Sequence, residues 1–189
     1  MHSEIDVAVQ LIYETHATTT DNEAGVATGW LPGQLSARGR LEAAQLGERR
    51  QSDELAAVYV SDLQRAAETA QIAFGGRDIR IIRDARLREC NYGDLNGMPV
   101  ADLTALRRNH IDTPFPGGQS YRDVVDATRA FLSDLAAMHD DQTVLVIAHS
   151  ANRWALQHLL HGDPLEDLLD APFAWQPGWE FMVKCDPLT

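Results

Sequence analysis

The apolar residues of the chain fall into two alternating patterns: short continuous runs and longer stretches with helical spacing. The short runs predict five strands, at 7–14 (VAVQLIYE), 56–61, 79–84, 143–149 (TVLVIAH) and 180–185. The longer stretches predict helices, at 35–50, 62–74, 121–139 and 151–162. Strands that alternate with helices favour an α/β three-layer (α/β/α) sandwich in which the central sheet is mostly parallel.

Capping and turn residues set the boundaries of these elements. Ser36 is predicted to cap the N-terminus of the first long helix. The segment from 85 to 119 is irregular, because turn clusters surround a single short predicted helix, VADLTALRRN. The sequence has no internal repeat and no long linker, so we predict one domain over 1–189, with 90–119 as a cap segment.

Two histidines stand where predicted strands end. In LIYETHATTTDN, residues 11–22, an apolar run ends at His16 and a threonine-rich loop follows; in TVLVIAHSAN a second run ends at His149. Ligands of mostly parallel sheets bind beyond the carboxyl ends of the strands. We therefore expect both histidines at the same edge of the sheet, where they could act on one ligand.

Composition narrows the kind of ligand. The 189 residues can bury a sizeable core, and the formal net charge is −12, from 16 Lys+Arg against 28 Asp+Glu. With no basic patch, neither a nucleic acid nor a membrane surface is expected as a partner, whereas a small anion can still bind where a few cations converge. Cys90 and Cys185 form no disulfide framework, and the acidic start, MHSEID, is no export signal, so a cytoplasmic location is predicted.

Four segments carry residue types suited to phosphoryl chemistry. THATTTDN contributes His16, SDLQRAAETA contributes Arg65, LRECNYGDLNG contributes Glu89 and VIAHSAN contributes His149. A neutral imidazole is a nucleophile at pH 7, and a guanidinium binds phosphoryl oxygens through parallel hydrogen bonds. Each residue taken singly is ordinary for a loop or a surface, so the prediction depends on their occurring together.

On these segments the chain resembles the histidine phosphatase superfamily, the phosphoglycerate mutase-like group. That family opens with Arg-His-Gly-Glu/Gln-Thr and has an asparagine six residues after the histidine, and here His16 and Asn22 occupy those two places. SDLQRAAETA resembles the next motif, LREC with YGDLNG resembles the stretch that holds the acidic residue, and AHS resembles His-Gly with Ser150 for the glycine. GGQSYRD resembles the Gly-Gly-Glu-Ser stretch before the long helix, so the resemblance extends over nearly the whole chain.

The resemblance implies a phosphatase that forms a phosphohistidine on His16. It assigns phosphoryl binding to Arg65, Asn22, Ser150 and His149, of which His149 also stabilises charge during catalysis. It makes Glu89 the group that protonates the leaving oxygen and then activates water. It implies neither a metal nor another cofactor, and a small phosphorylated substrate or inorganic phosphate as the partner. A homodimer is left open.

The chain departs from the family at one position, because Thr15 stands where the motif has its arginine. Two lost charge-assisted hydrogen bonds cost roughly 3–6 kcal/mol, or about 10²–10⁴ in rate if they act only in the transition state. Thr15 is therefore predicted to be a substituted phosphate ligand. The hydroxyls of Thr18 and Thr19, or the guanidinium of Arg38 or Arg153, are candidate partial replacements.

The departure leaves two other functions open. The first is a member that lost turnover with the arginine and serves as an anion-binding or protein-interaction module. The second is a phosphoglycerate mutase, a weaker hypothesis because the longer insertions of the cofactor-dependent mutases are missing.

Other features of the sequence receive structural interpretations. His158 and His161 share a helix face, but with no matching carboxylate or second pair they predict no metal site. The aromatic residues near the end of the chain are predicted to pack as a strand and its approach rather than to stack bases. They are Phe173, Trp175, Trp179 and Phe181.

Overall fold

A five-stranded sheet forms the centre of the computed structural model, which describes residues 8–184. Its strands are β1 (Ala8–Thr15), β2 (Ala57–Ser61), β3 (Ile81–Asp84), β4 (Thr143–Ala148) and β5 (Trp179–Lys184). The spatial order is β3-β2-β4-β1-β5. The first four strands of the sequence, β1, β2, β3 and β4, are parallel, and β5 is antiparallel to its neighbour β1. This confirms the predicted mostly parallel sheet. Two predicted strand residues, Val7 and Cys185, lie outside the described residues.

Helices cover both faces of the sheet. They are α1 (Thr20–Glu23), α2 (Ala37–Arg49), α3 (Gln64–Phe74), α4 (Val100–Leu106), α5 (Tyr121–Met138), α6 (Ser150–His161) and α7 (Leu165–Asp170). Ser36 caps α2 as predicted, since its side chain accepts a hydrogen bond from the Gly39 N–H. Of the helices in the described part of the chain, none combines the length and apolar character needed to cross a membrane.

The two faces of β1 point into different layers. Ile12 packs with Leu46 of α2 and Phe74 of α3, whereas Tyr13 packs with Phe131 of α5 and Leu156 of α6. Alternate side chains of a strand point to opposite faces, and a parallel strand buried on both faces has a near-continuous apolar run, as LIY in β1 and VLVIA in β4 show. The three-layer sandwich follows from these two cores.

The carboxyl ends of β1 and β4 lie side by side. Thr15 is in register with Ala148, and the His16 N–H donates a hydrogen bond to the Ala148 carbonyl at 2.9 Å. His16 and His149 are the next residues of the two strands. The pairing of β1 with β4 therefore brings the two histidines to one edge of the sheet, as the sequence predicted.

The segment 90–119 packs on the helices at this end of the molecule. Its buried side chains Tyr92, Leu103 and Phe115 share a core with Val124 of α5 and Trp154 of α6. Apart from α4 it holds only two short 3-10 turns, in agreement with the irregular sequence.

Candidate active site

His16 has one ring nitrogen fixed by the backbone and the other directed at an arginine. Its Nδ1 lies 2.8 Å from the Ala17 carbonyl oxygen, which can only accept, so Nδ1 carries the proton. Its Nε2 therefore has a free lone pair, and it accepts a hydrogen bond from Arg65 Nε at 3.3 Å. Desolvation, with the positive charge of Arg65, lowers the pKa of His16 to about 3. The imidazole is neutral at pH 7 and its nucleophilic nitrogen faces Arg65.

Arg65, in the first turn of α3, is held by hydrogen bonds and keeps one amino group unpaired. The residue is 3% exposed, and its Nη2 donates to the Gly29 carbonyl at 2.8 Å. Gly29 has φ +53°, and a Cβ there would collide with the Asn96 side chain, so this carbonyl position requires glycine. Burial lowers the pKa of Arg65, but a guanidinium stays charged. Its Nη1 has no partner within residues 8–184, which leaves a donor available to an anion.

His149 lies beside His16 and is fully buried. The two ring centroids are 5.0 Å apart and the planes are inclined by 57°. His149 Nε2 lies 2.9 Å from the Ser61 hydroxyl oxygen, and its Nδ1 has no partner among the described residues. Desolvation and the charge of Arg65 lower the pKa of His149 well below its usual value. Both imidazoles are thus neutral when no anion is bound.

Glu89 is a buried carboxyl group on the wall of the same cavity. One of its oxygens accepts a hydrogen bond from the Cys90 N–H at 2.8 Å. Burial raises the pKa of Glu89, an effect that this hydrogen bond and the positive charge of Arg65 reduce. A carboxyl whose pKa is raised holds a proton closer to neutral pH than an exposed one does.

A cavity of about 730 Å³ joins these groups. The predicted site residues that line it are Thr15, His16, Asn22, Arg65, Glu89 and Ser150. His149 does not line the cavity, but its ring packs against that of His16, which does. The Oδ1 of Asn22 accepts from the Thr19 N–H and completes the cap of α1, so only its amide nitrogen is free for a ligand. The structure therefore brings six of the seven predicted site residues to the wall of one cavity, and it places His149 behind that wall, against His16.

The strand end before His16 holds an ion-pair cluster. Glu14 is 2% exposed; Arg49 Nη2 bonds both of its oxygens, at 3.1 and 3.2 Å, and Arg50 Nη2 bonds one, at 2.9 Å. Two guanidinium groups on one buried carboxylate make Glu14 a structural anion. Thr15 follows it and presents no charge to the cavity.

The candidate replacements for the motif arginine differ in whether their polar groups already have partners in the protein. Arg38 is exposed and pairs with Glu42 at 2.7 Å. The Thr18 N–H donates to the same Glu42, and the Thr19 side chain caps α1. Arg38 and Thr19 thus already have polar partners, whereas the side chain of Arg153 makes no hydrogen bond or ion pair within residues 8–184.

Sequence reasoning missed three residues that position the site. Ser61 contacts His149, and Gly29 holds Arg65 through its carbonyl. Thr69 donates to the Arg65 carbonyl at 2.7 Å and accepts from the Ala17 N–H at 3.1 Å, which ties α3 to the loop after His16. Ser61 and Thr69 lie in the segment SDLQRAAETA, at a strand end and one helical turn after Arg65, and that placement was the available signal.

The packing predicted for the C-terminal aromatic residues was wrong for two of them. Phe181 is buried in β5 and Trp179 is half-buried, as expected. Phe173 and Trp175 are 54% and 62% exposed and line the cavity. They lie in the segment between α7 and β5, which has no regular structure and places them at the rim of the cavity rather than in the core.

Comparison with known proteins adds independent findings. A family model described as "Histidine phosphatase superfamily (branch 1)" matches residues 15–175. Phosphoserine phosphatase 1 of Hydrogenobacter thermophilus is 29% identical over 162 residues, which cover 82% of this chain and 77% of that protein. A 2,3-bisphosphoglycerate-dependent phosphoglycerate mutase of Brucella anthropi is 32% identical over 174 residues, 84% of each chain.

Solved structures of similar proteins have the same fold. Bacillus stearothermophilus YhfR superposes with a TM-score of 0.78 at 30% identity, covering 89% of this chain and 88% of that chain. A mycobacterial glucosyl-3-phosphoglycerate phosphatase, in a complex with VO3, gives a TM-score of 0.75 at 27% identity and covers 85% of each chain.

Proposed function

The chain belongs to the histidine phosphatase superfamily, and from this premise we propose that it hydrolyses a small phosphomonoester through a phosphohistidine on His16. The observation that supports the proposal most is the arrangement around His16. Its unprotonated Nε2 points at Arg65, with the His149 ring 5.0 Å away. A nucleophile beside a cation with a free donor suits attack on a dianionic phosphoryl group.

In the first step, His16 Nε2 attacks phosphorus as the ester oxygen leaves. An N–P bond forms and the P–O bond to the alcohol breaks. The Ala17 carbonyl holds the proton on Nδ1, so Nε2 offers its lone pair. Substrate binding must break the hydrogen bond between Arg65 Nε and His16 Nε2, which turns the guanidinium from the nucleophile to the phosphoryl oxygens.

The charge that develops on the phosphoryl oxygens is met by Arg65 and His149. Arg65 contributes Nη1, which has no partner among the described residues. A dianion placed beside His149 favours the imidazolium, so binding of the substrate would itself charge a ring that is neutral without it. Asn22 and Ser150 line the same cavity and offer further donors.

Glu89 handles the proton in both steps. Its raised pKa favours the protonated carboxyl group, which can give its proton to the departing alkoxide. In the second step the resulting carboxylate takes a proton from water as the water attacks phosphorus. The N–P bond then breaks, inorganic phosphate forms, and His16 and Glu89 return to their starting states.

We assign the leaving group to the end of the cavity formed by segment 90–119. This segment contributes Tyr92, Val100 and Leu103 to the cavity wall, and Arg107 lies beside them. Tyr92 and Leu103 are anchored in the core beneath. The segment thus acts as a cap over the alcohol part of the substrate.

The test is hydrolysis of p-nitrophenyl phosphate by the wild type, His16→Ala and His161→Ala. His161 is an exposed histidine of α6 and serves as the matched control. We expect His16→Ala to lose at least about 10³-fold in kcat and His161→Ala to match the wild type. Equal rates for the wild type and His16→Ala would remove the phosphatase proposal.

Two outcomes of the same test would indicate the other functions. A protein that binds inorganic phosphate but shows no turnover above His16→Ala is an anion-binding module. Transfer of the phosphoryl group between the hydroxyls of a phosphoglycerate, faster than release of inorganic phosphate, indicates a mutase. Release of inorganic phosphate as the main product supports the hydrolase.

A further inference from the structure

Arg153 is a buried guanidinium with no hydrogen-bond or ion-pair partner within residues 8–184. The residue is 8% exposed, and its Nε is one of the buried polar atoms left without a partner. Arg86 and Arg88 are more exposed, yet each is paired with an aspartate, Asp84 and Asp62. A buried charge without a counter-ion is costly, and arginine does not escape the cost by losing its proton. The position therefore favours binding of an anion.

Two aromatic rings hold the guanidinium in place. Its central carbon lies 5.3 Å from the centroid of the Phe173 ring and 4.9 Å from that of the Trp179 ring. Cation–π contacts support a positive charge without neutralising it. The rings therefore hold the guanidinium in position, and its buried Nε still has no acceptor among the described residues.

Arg153 does not itself line the cavity, but its backbone and one of its ring partners join it to residues of the site. It is one helical turn after His149, to whose carbonyl its own N–H donates at 3.2 Å. Tyr13 is the ionisable residue close enough to affect the pKa of Arg153. The Tyr13 hydroxyl also donates a hydrogen bond to the His149 carbonyl. Thr15 is on the same face of β1 as Tyr13, and Phe173 forms part of the cavity wall.

The α6 side of the cavity wall is the side without a positive charge. The described arginines that line the cavity come from α2, from α3 and from the residue after α4. They are Arg38, Arg49, Arg65 and Arg107. Ser150, the first residue of α6, lines the cavity, and Arg153 follows it within the first turn of the same helix without lining the cavity.

We propose that Arg153 is the second guanidinium of the phosphoryl site and binds phosphoryl oxygens from the α6 side, where Thr15 replaces the motif arginine. The inference rests on the proposed function, because it assumes that a phosphoryl group binds between His16 and His149. Arg65 then approaches this group from one layer of the sandwich and Arg153 from the other. Because Arg153 has no carboxylate partner within residues 8–184, the phosphoryl group of the substrate would supply its counter-ion.

A structural role is the competing explanation, since Arg153 also joins Phe173 to Trp179. The test compares Arg153→Met with Arg77→Met. Arg77 likewise packs over a ring, that of Phe74 at 5.5 Å, but it lies away from the cavity. We expect Arg153→Met to weaken binding of inorganic phosphate about 10- to 100-fold and to lower kcat/KM similarly, and Arg77→Met to change neither.

Rescue by a second substitution separates the two roles. In the Arg153→Met background, Thr15→Arg places a guanidinium on the same side of the cavity, and we expect it to recover at least about tenfold in phosphate affinity. A structural role for Arg153 predicts no rescue. Unchanged phosphate affinity in Arg153→Met, or no recovery in the double variant, would overturn the proposal.

Two further measurements keep the test decisive. If Arg153→Met does not fold, Arg153→Lys retains the charge and the ring contacts but lacks the planar fork, and we expect phosphate binding to weaken about tenfold at an unchanged Tm. Equal affinity in Arg153→Lys would count against the proposal. Calorimetric phosphate binding does not depend on turnover, so the inference fails alone if the wild type hydrolyses phosphomonoesters and Arg153→Met binds phosphate normally.

Discussion

Two buried arginines are joined to the histidine pair, Arg65 through the His16 ring and Arg153 through the His149 backbone, and their side chains are held in opposite ways. Arg65 is fixed by directional hydrogen bonds, to the Gly29 carbonyl and to His16 Nε2. Arg153 is held by the rings of Phe173 and Trp179 and makes no hydrogen bond through its side chain within residues 8–184. The direction of the N–H groups is thus set before any ligand binds for Arg65, whereas ring contacts fix the position of the Arg153 guanidinium without a directional bond to its N–H groups.

The charges around the two arginines differ as well. Arg65 has acidic groups within electrostatic range, among them Glu89 and Asp21, whereas Arg153 has only the hydroxyl of Tyr13. An anion that enters the cavity competes with carboxylates for Arg65 but not for Arg153. The comparison suggests a division of work: Arg65 orients the phosphoryl group at the nucleophile, and Arg153 adds affinity.

The largest effect is expected at Arg65. Arg65→Met removes a preorganised donor next to His16 Nε2, and two lost charge-assisted hydrogen bonds amount to roughly 3–6 kcal/mol. We expect kcat/KM for p-nitrophenyl phosphate to fall about 10³-fold, at least about ten times more than in Arg153→Met. Steady-state kinetics of the two variants under the same conditions measure the difference.

Stability serves as the control for this comparison. Arg65→Met leaves the Gly29 carbonyl without its partner, at a cost of about 1–3 kcal/mol, so thermal unfolding of each variant must be measured beside its rate. Equal losses of kcat/KM in folded Arg65→Met and Arg153→Met would contradict the division of work between the two arginines.

The positions of the site residues could be predicted because they follow from strand order and motif spacing. His16 and His149 end two apolar runs, and parallel pairing of adjacent strands brings such ends together. Arg65 and Glu89 came from the resemblance rather than from any periodicity. The unpaired state of Arg153 could not be predicted, because the sequence does not reveal whether a helical arginine meets a carboxylate or a ring.

The features of the fold that were missed are the ones that depend on tertiary contacts. A helix such as α1, four residues long, is too short for apolar periodicity, and its cap by Thr19 and Asn22 is visible only in the structure. Helix α7 was also missed, for the same reason of length. Phe173 and Trp175 resemble core residues by type, and only the course of the chain between α7 and β5 places them at the cavity rim.

An intermediate effect is expected at Glu89, the acidic neighbour that distinguishes Arg65 from Arg153. Glu89→Gln keeps the shape of the side chain but cannot give up a proton, so we expect kcat/KM, which reports phosphoryl transfer to His16, to fall about 10²-fold for an alkyl phosphate. It should fall much less for p-nitrophenyl phosphate, whose leaving group needs no acid. At a pH above the pKa of Glu89, where the wild type carries a carboxylate near Arg65, the substitution should also tighten binding of inorganic phosphate. Glu68→Gln, on the surface and paired with Arg40, is the matched control.

The pH profile gives a second readout of the same substitution. The pKa of Glu89 is raised, so wild-type kcat/KM for the alkyl phosphate should fall as the pH rises through that pKa and the acid form is lost. The pKa of His16 is lowered to about 3, so His16 stays neutral above that pH and causes no loss of kcat/KM there. Glu89→Gln should lack the descending limb, while the ionisation of the substrate affects both proteins alike. A descending limb that persists in Glu89→Gln would assign the proton donor to another group.

The smallest effect is expected at the rings that hold Arg153. Phe173→Leu removes one of the two cation–π contacts, which are worth about 0.5–2 kcal/mol each, so phosphate affinity should weaken about three- to tenfold. Trp175→Leu is the matched comparison, because Trp175 also lies exposed on the cavity wall but packs over Arg49, whose partner is Glu14. If aromatic contacts orient Arg153 toward the phosphoryl group, calorimetric titration with phosphate will separate the two variants. If the rings merely exclude water from the cavity, both variants will weaken phosphate binding equally. The different ways in which Arg65 and Arg153 are held would then have no effect on function.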